Sequence, residues 1–230
     1  MIATKRFVFL HLHKSGGTFV NEWLLRFFPD ARELGYHLPR KLIPPPLAAL
    51  PVIGLVRNPW SYYVSWHAFQ ATRRQPNALF QILSNGGEVG FEGTIRNMLE
   101  LGGASALLDR IVGALPASYV GKGLNLPGSE LAAIRDTGIG FYSFLHGYMY
   151  GGTEAPRIAH MEHMREELPP LLSATGETVS EPAASFLATA APRNTSAHRH
   201  YSEYYSSELR DLVQERDRSI IEKYGYGFGE

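Results

Sequence analysis

The chain has 230 residues, with 22 basic and 22 acidic side chains and no cysteine. That length suits one sizeable domain able to bury most of its apolar surface in a single core. The balanced charge excludes a strong overall field for nucleic acids or membrane surfaces, and the missing cysteines exclude disulfides, thiolate metal sites and a cysteine nucleophile.

Lys5 and Arg6 stand before Phe7-Val8-Phe9-Leu10 as in a secretory signal. His11, His13 and Lys14 interrupt that run before any small-residue cleavage site, and no later stretch has the length of a membrane span. A cytoplasmic protein is therefore expected. Residues 6–12 have the continuous apolar character of an interior parallel strand. Lys14-Ser15-Gly16-Gly17-Thr18 ends it. Phe19, Val20, Trp23, Leu24 and Phe27 then recur at helical spacing over residues 18–28, and Pro29-Asp30 stops that helix.

A loop carrying Tyr36-His37-Leu38-Pro39 and three successive prolines leads to a second apolar strand at 52–56. Asn58 is a good helix cap and Pro59 a good first-turn residue, so a helix is predicted from Trp60 to about Thr72. Residues 75–128 are rich in Gly and Asn, with weak helical signals at 93–101 and 104–112. Ser129 is expected to cap a further helical segment whose far end is the aromatic stretch "FYSFLHGYMYGG". A strand at 157–161 leads to a helix around 164–172. A last helix begins near Ser207, with Leu209, Leu212, Val213 and Ile220 on one face and Gly225 to close it. Strands alternating with helices predict an α/β fold: one domain over 1–230, with a central, largely parallel sheet flanked by helices.

The chemistry concentrates at Lys14. A strand, then Lys-Ser-Gly-Gly-Thr, then a helix puts backbone N–H groups and the positive end of a helix dipole around an anion. Gly16 and Gly17 let the backbone curl closely, Ser15 and Thr18 add hydroxyls, and Lys14 adds a full charge. The alternative is an ordinary βα turn with an exposed lysine. In the common nucleoside triphosphate loop the lysine follows the glycines and a magnesium-binding hydroxyl follows the lysine; here the lysine comes first, which speaks against an ATP enzyme. "VIGLVRNPWSYYVSWHAF" repeats the strand-to-helix plan, with Arg57 at the strand end and Ser65 two turns into the helix.

With these motifs in order, the chain resembles the PAPS-dependent sulfotransferases. "HLHKSGGTFV" looks like their loop for the 5′-phosphosulfate of 3′-phosphoadenosine 5′-phosphosulfate (PAPS), and "RNPWSYYVS" like their 3′-phosphate motif. "YHLP" is similar to the Thr-His-Leu-Pro segment that carries the catalytic histidine of the cytosolic branch, with Gly35-Tyr36 in place of the usual Lys-Thr. The tail from "RNTSAHRHYSEYY" to "KYGYGF" resembles the bacterial and carbohydrate-sulfotransferase branches. The resemblance covers roughly residues 6–73 and 156–228 and leaves the middle unmatched.

The resemblance implies a P-loop-like fold and transfer of a sulfuryl group from PAPS, without a metal, to a hydroxyl-bearing acceptor: a sugar, lipid or small molecule. It makes Lys14 the group that offsets charge on the departing phosphate, and Ser15, Gly16, Gly17 and Thr18 the cradle of the 5′-phosphate. Phe19 falls where the family stacks a tryptophan on adenine, though it suits the helix core equally. His37 is the implied general base, with His11, His13 and His67 as rivals. Arg57 and Ser65 fall on the 3′-phosphate positions. Arg193 lies near the tail's phosphate-binding basic residue, beside Asn194 and Ser196, whose role is unassigned. Residues 75–150 become the acceptor pocket and lid, where Phe141, Tyr142, Phe144, Tyr148 and Tyr150 stack on an acceptor or fill the core. Two other functions stay open: a P-loop phosphotransferase using ATP and magnesium, and a nucleotide-binding module without catalysis. No nucleic-acid partner is expected.

Overall fold

The computed structural model describes residues 1–119, 121, 123–191, 193 and 198–229. Where the sequence predicts one domain, contacts cluster into two compact units interleaved along the chain. The first comprises Met1–Arg57, Gly121–Gly123 and His146–Thr195; the second comprises Asn58–Val120, Leu124–Leu145 and Ser196–Glu230.

The first unit holds one five-stranded sheet with flanking helices, so the α/β class stands. Its strands are β1 (Ile2–Ala3), β2 (Val8–Leu10), β3 (Arg32–Glu33), β4 (Val52–Val56) and β5 (Arg157–His160), in the spatial order β3-β1-β2-β4-β5. β4 runs parallel to both β2 and β5, whereas β1 is antiparallel to β2 and to β3. The sheet is thus mixed, which corrects the largely parallel expectation. The hairpin at its near side escapes sequence reading because β1 and β3 have two residues each, too few for any periodicity.

β4 is buried along its whole length, as its unbroken apolar sequence requires. Gly54 is obligatory in it. A Cβ there would fall 2.3 Å from Cε1 of Tyr150, whose hydroxyl donates to the Leu55 carbonyl at 2.8 Å and accepts from the Leu55 N–H at 3.0 Å. α1 (Gly17–Phe27) buries Phe19, Val20, Trp23 and Leu24 against the sheet and against α8 (Met164–Ser173) and α9 (Glu181–Thr189). The Trp23 indole N–H donates to the Ala183 carbonyl at 2.8 Å, which fixes α9 over α1. α9 has no counterpart among the predicted elements: only Ala183 and Leu187 of its residues are buried, too thin a stripe to announce a helix.

The second unit is helical: α2 (Pro59–Ala71), α3 (Ala78–Leu83), α4 (Gly90–Leu99), α5 (Ser105–Ala114), α6 (Gly128–Leu131), α10 (Ser207–Arg216) and α11 (Arg218–Tyr224). The Asn58 side chain caps α2 by accepting from the Ser61 N–H at 3.3 Å, as predicted. Two expectations are corrected here. The helical segment entered at Ser129 does not run on into the aromatic stretch: α6 ends at Leu131, and Asp136 and Gly138 take positive φ before α7 (Phe141–Tyr150) begins. The last helix is also two helices, broken at Asp217. The buried Asp217 carboxylate accepts from the Tyr63 hydroxyl at 2.6 Å and the Ser143 N–H at 2.8 Å, so the break is held by a satisfied polar network. No helix among the described residues is long and apolar enough to cross a membrane.

Candidate functional site

β2 ends at Leu10 and delivers His11, Leu12 and His13 to the loop. Lys14 takes a left-handed conformation (φ 55°), and Gly16 (φ 78°) is the N-cap of α1, with no side chain capping the helix. The first N–H groups of a helix have no partner within it, and the dipole there favours an anion. The predicted strand–loop–helix is therefore present, and its start is built from backbone.

The floor of the loop is histidine. A Cβ at position 17 would lie 2.0 Å from Cδ2 of His11, so only glycine lets the first turn of α1 settle on that ring. His37 also has positive φ (53°) and turns its ring onto the same place, with centroids 3.7 Å from His13 and 4.2 Å from His11. Its Nδ1 lies 2.7 Å from the His11 carbonyl oxygen. A carbonyl only accepts, so Nδ1 carries the hydrogen and Nε2 the lone pair. Burial, then the neighbouring His13, pushes the His37 imidazole well below its ordinary range, and His11 is lowered in the same way. Both rings are neutral at physiological pH. The Tyr36 hydroxyl, 3.2 Å from Thr18 Oγ1, ties this segment to the first turn of α1.

Two cations attend the loop. Burial and the nearby Arg57 guanidinium push the Lys14 ammonium down to about 8. Arg57, leaving the end of β4, donates from Nη1 to the Lys14 carbonyl at 2.9 Å. Ser15 is fully buried and its hydroxyl donates to the His13 carbonyl at 3.2 Å, so its side chain braces the loop and leaves its N–H as the group that faces an anion.

The structure thus gathers Lys14, Ser15, Gly16, Gly17, Thr18, His11, His13, His37 and Arg57 within the first unit. Ser65 lies buried inside α2, in the second unit, and His67 is half-buried on the same helix. Phe19 takes the core position of the two its sequence allowed: it is buried, 5.9 Å from the Phe186 ring, with the Arg165 guanidinium 5.3 Å from its centroid. Arg193 makes a two-pronged bond to Glu22, at 2.9 and 3.0 Å. Asn194 and Ser196 lie outside the described residues. Phe141, Tyr142 and Tyr150 are buried, and Tyr142 stacks on Tyr62 at 4.1 Å, so these three aromatics serve the core; Phe144 and Tyr148 are half-buried.

Sequence reading missed one feature of this region. At the end of β5 the His160 N–H donates to Glu167 Oε2 at 2.7 Å, and its Nδ1 lies 3.1 Å from both oxygens of that carboxylate. A His and a Glu seven residues apart across a strand–helix corner give no periodic signal, and only the turn brings them together. The described residues contain no cluster of three His, Asp or Glu side chains placed to hold a metal ion. A scan against protein-family models and a search of curated proteins find no match to this chain.

Proposed function

We propose that this chain is a PAPS-dependent sulfotransferase of P-loop-like type, acting on a hydroxyl-bearing acceptor. One observation carries the proposal. Lys14, in left-handed backbone, opens onto a glycine-capped helix start, while Arg57 from the adjacent parallel strand holds the Lys14 carbonyl. Two positive side chains and a ring of N–H donors then meet at the carboxyl ends of parallel strands, where ligands of open α/β sheets bind.

Such a site fits a nucleotide whose 5′-phosphate carries a sulfuryl group. The N–H groups of Ser15, Gly16 and Gly17 hold the 5′-phosphate, and the Lys14 ammonium approaches the oxygen that bridges phosphorus and sulfur. As the acceptor oxygen attacks sulfur in line, charge grows on that bridging oxygen and Lys14 offsets it. The acceptor's proton passes to a neutral histidine; the resemblance assigns this to His37, whose Nε2 carries a lone pair. Arg57 and Ser65 recognise the 3′-phosphate. The lysine's place ahead of the glycines argues against ATP and magnesium.

Transfer of labelled sulfuryl from PAPS to a panel of sugars, alcohols, phenols and lipid headgroups tests this. Acceptor-dependent product with PAPS, and no phosphoryl transfer from ATP with magnesium, is expected. ATP turnover without sulfuryl transfer would replace the proposal with a phosphotransferase.

A further inference from the structure

We infer, resting on the sulfotransferase reading, that His160 is the catalytic base for the acceptor hydroxyl and Glu167 its positioning residue. The parallel strands β2, β4 and β5 end at one sheet edge. β2 leads there to Lys14, β4 ends at Val56 and hands on to Arg57, and His160 pairs in register with Val56. The corner bearing His160 also packs on the phosphate loop: a Cβ at Gly16 would meet Met161 Cγ at 3.1 Å and Met164 Sδ at 3.3 Å. His160 therefore belongs to the surroundings of Lys14 by strand register and by packing.

The chemistry of the two histidines differs. Each has Nδ1 held by an acceptor, so each keeps its lone pair on Nε2. A base must also hold the proton it takes. Protonating His37 would create a cation 8% exposed, stacked on His13 and close to His11, with only a neutral carbonyl as partner. Protonating His160 creates a cation already paired with the Glu167 carboxylate, the arrangement by which an acidic residue orients an imidazole and stabilises its charged form. Its side chain is 27% exposed, open enough to meet an acceptor. Glu167 further receives the His160 N–H, so ring and backbone are set by one carboxylate.

In the step, the acceptor oxygen forms a bond to sulfur as the bond from sulfur to the 5′-phosphate oxygen breaks. The hydroxyl proton moves to His160 Nε2. The bonding pair leaves with 3′-phosphoadenosine 5′-phosphate, next to Lys14. No oxidant or further reactant is needed beyond PAPS and the acceptor. His37 then fills the floor of the loop and supports Lys14 instead of taking the proton.

The test combines turnover with NMR of the histidine ring nitrogens in labelled protein, His160 being assigned by its loss in His160→Gln. Adding 3′-phosphoadenosine 5′-phosphate should move the His160 ring signals. Turnover should fall at least a hundredfold in His160→Gln and about tenfold or more in Glu167→Gln, with nucleotide affinity within about threefold of wild type. Glu167→Gln should also change the ring-nitrogen shifts of His160, which a merely structural carboxylate would not do. His37→Gln should cost less than His160→Gln. A nucleotide that binds tightly yet leaves His160 unmoved, or a larger loss in His37→Gln, overturns the assignment while the sulfotransferase reading stands. Failure of the wild-type protein to bind the nucleotide overturns that reading and this inference with it.

Discussion

Gly17 and Lys14 show how single atoms set the candidate site. The clash of a seventeenth-position Cβ with the His11 ring leaves no soft neighbour to yield, because His11 is itself buried against His37. Gly17→Ala is therefore expected to destabilise the protein by about 1–3 kcal/mol, the usual range for overpacking, and to weaken nucleotide binding. Denaturant unfolding and calorimetric titration measure the two effects; an unchanged midpoint would contradict the packing argument. At Lys14, an ammonium lowered to about 8 loses its charge as pH rises past that value. An anion prefers the charged form, so affinity for 3′-phosphoadenosine 5′-phosphate should be highest below pH 8, fall above it, and be accompanied by proton uptake. Lys14→Ala should remove that pH dependence. It should lower turnover far more than affinity, because the charge acts mainly in the transition state. Turnover equal to wild type would remove the role given to Lys14.

Elements that announce themselves in the sequence are those whose burial is regular. β4 falls on its predicted span, and α1 and α2 begin within a residue of prediction, because a continuous apolar run, a helical apolar stripe and an Asn-Pro start each leave a local mark. The elements that stay hidden are made by contact. β1 exists because its two residues pair on both sides, and α9 because Trp23 and Ala183 meet. The break between α10 and α11 follows from Tyr63, 154 residues away, bonding Asp217. The candidate site divides likewise. Its loop is contiguous and legible, whereas the stacking of His37 on His13 and the pairing of His160 with Glu167 depend on turns that the sequence does not spell out. Asp217 gives an element-level test: Asp217→Ala leaves the Ser143 N–H and the Tyr63 hydroxyl without their buried acceptor. A loss of about 2–4 kcal/mol is expected in urea unfolding, and a change below about 0.5 kcal/mol would show that the break does not rely on it.

For the whole molecule, the buried histidines set a stability profile. His11 and His37 have folded-state values well below the ordinary 6.5, so the unfolded chain binds more protons than the folded one as pH drops below 6.5. Their contribution is present in full above pH 6.5 and is lost as pH falls toward the folded values. The slope should reach up to about 1.4 kcal/mol per pH unit for each histidine. Asp217 has the opposite sign: burial raises its carboxyl above the ordinary 3.8, so its contribution is full below 3.8 and declines as pH rises through the folded value. Urea unfolding at several pH values between 7.5 and 5, in the wild type and in His37→Gln, separates these terms. The variant should have a shallower acid slope, and identical slopes would contradict the neutral cluster.

The measurement that bears most directly on the proposed activity compares binding of 3′-phosphoadenosine 5′-phosphate with that of adenosine 5′-phosphate. A charge-assisted bond from arginine to phosphate contributes on the order of 1.5–3 kcal/mol, so the first nucleotide should bind at least about tenfold more tightly. Arg57→Ala should erase most of that preference by weakening only the 3′-phosphorylated ligand, and Ser65→Ala should do so more weakly. Equal affinity of the wild-type protein for the two nucleotides would contradict the sulfotransferase account.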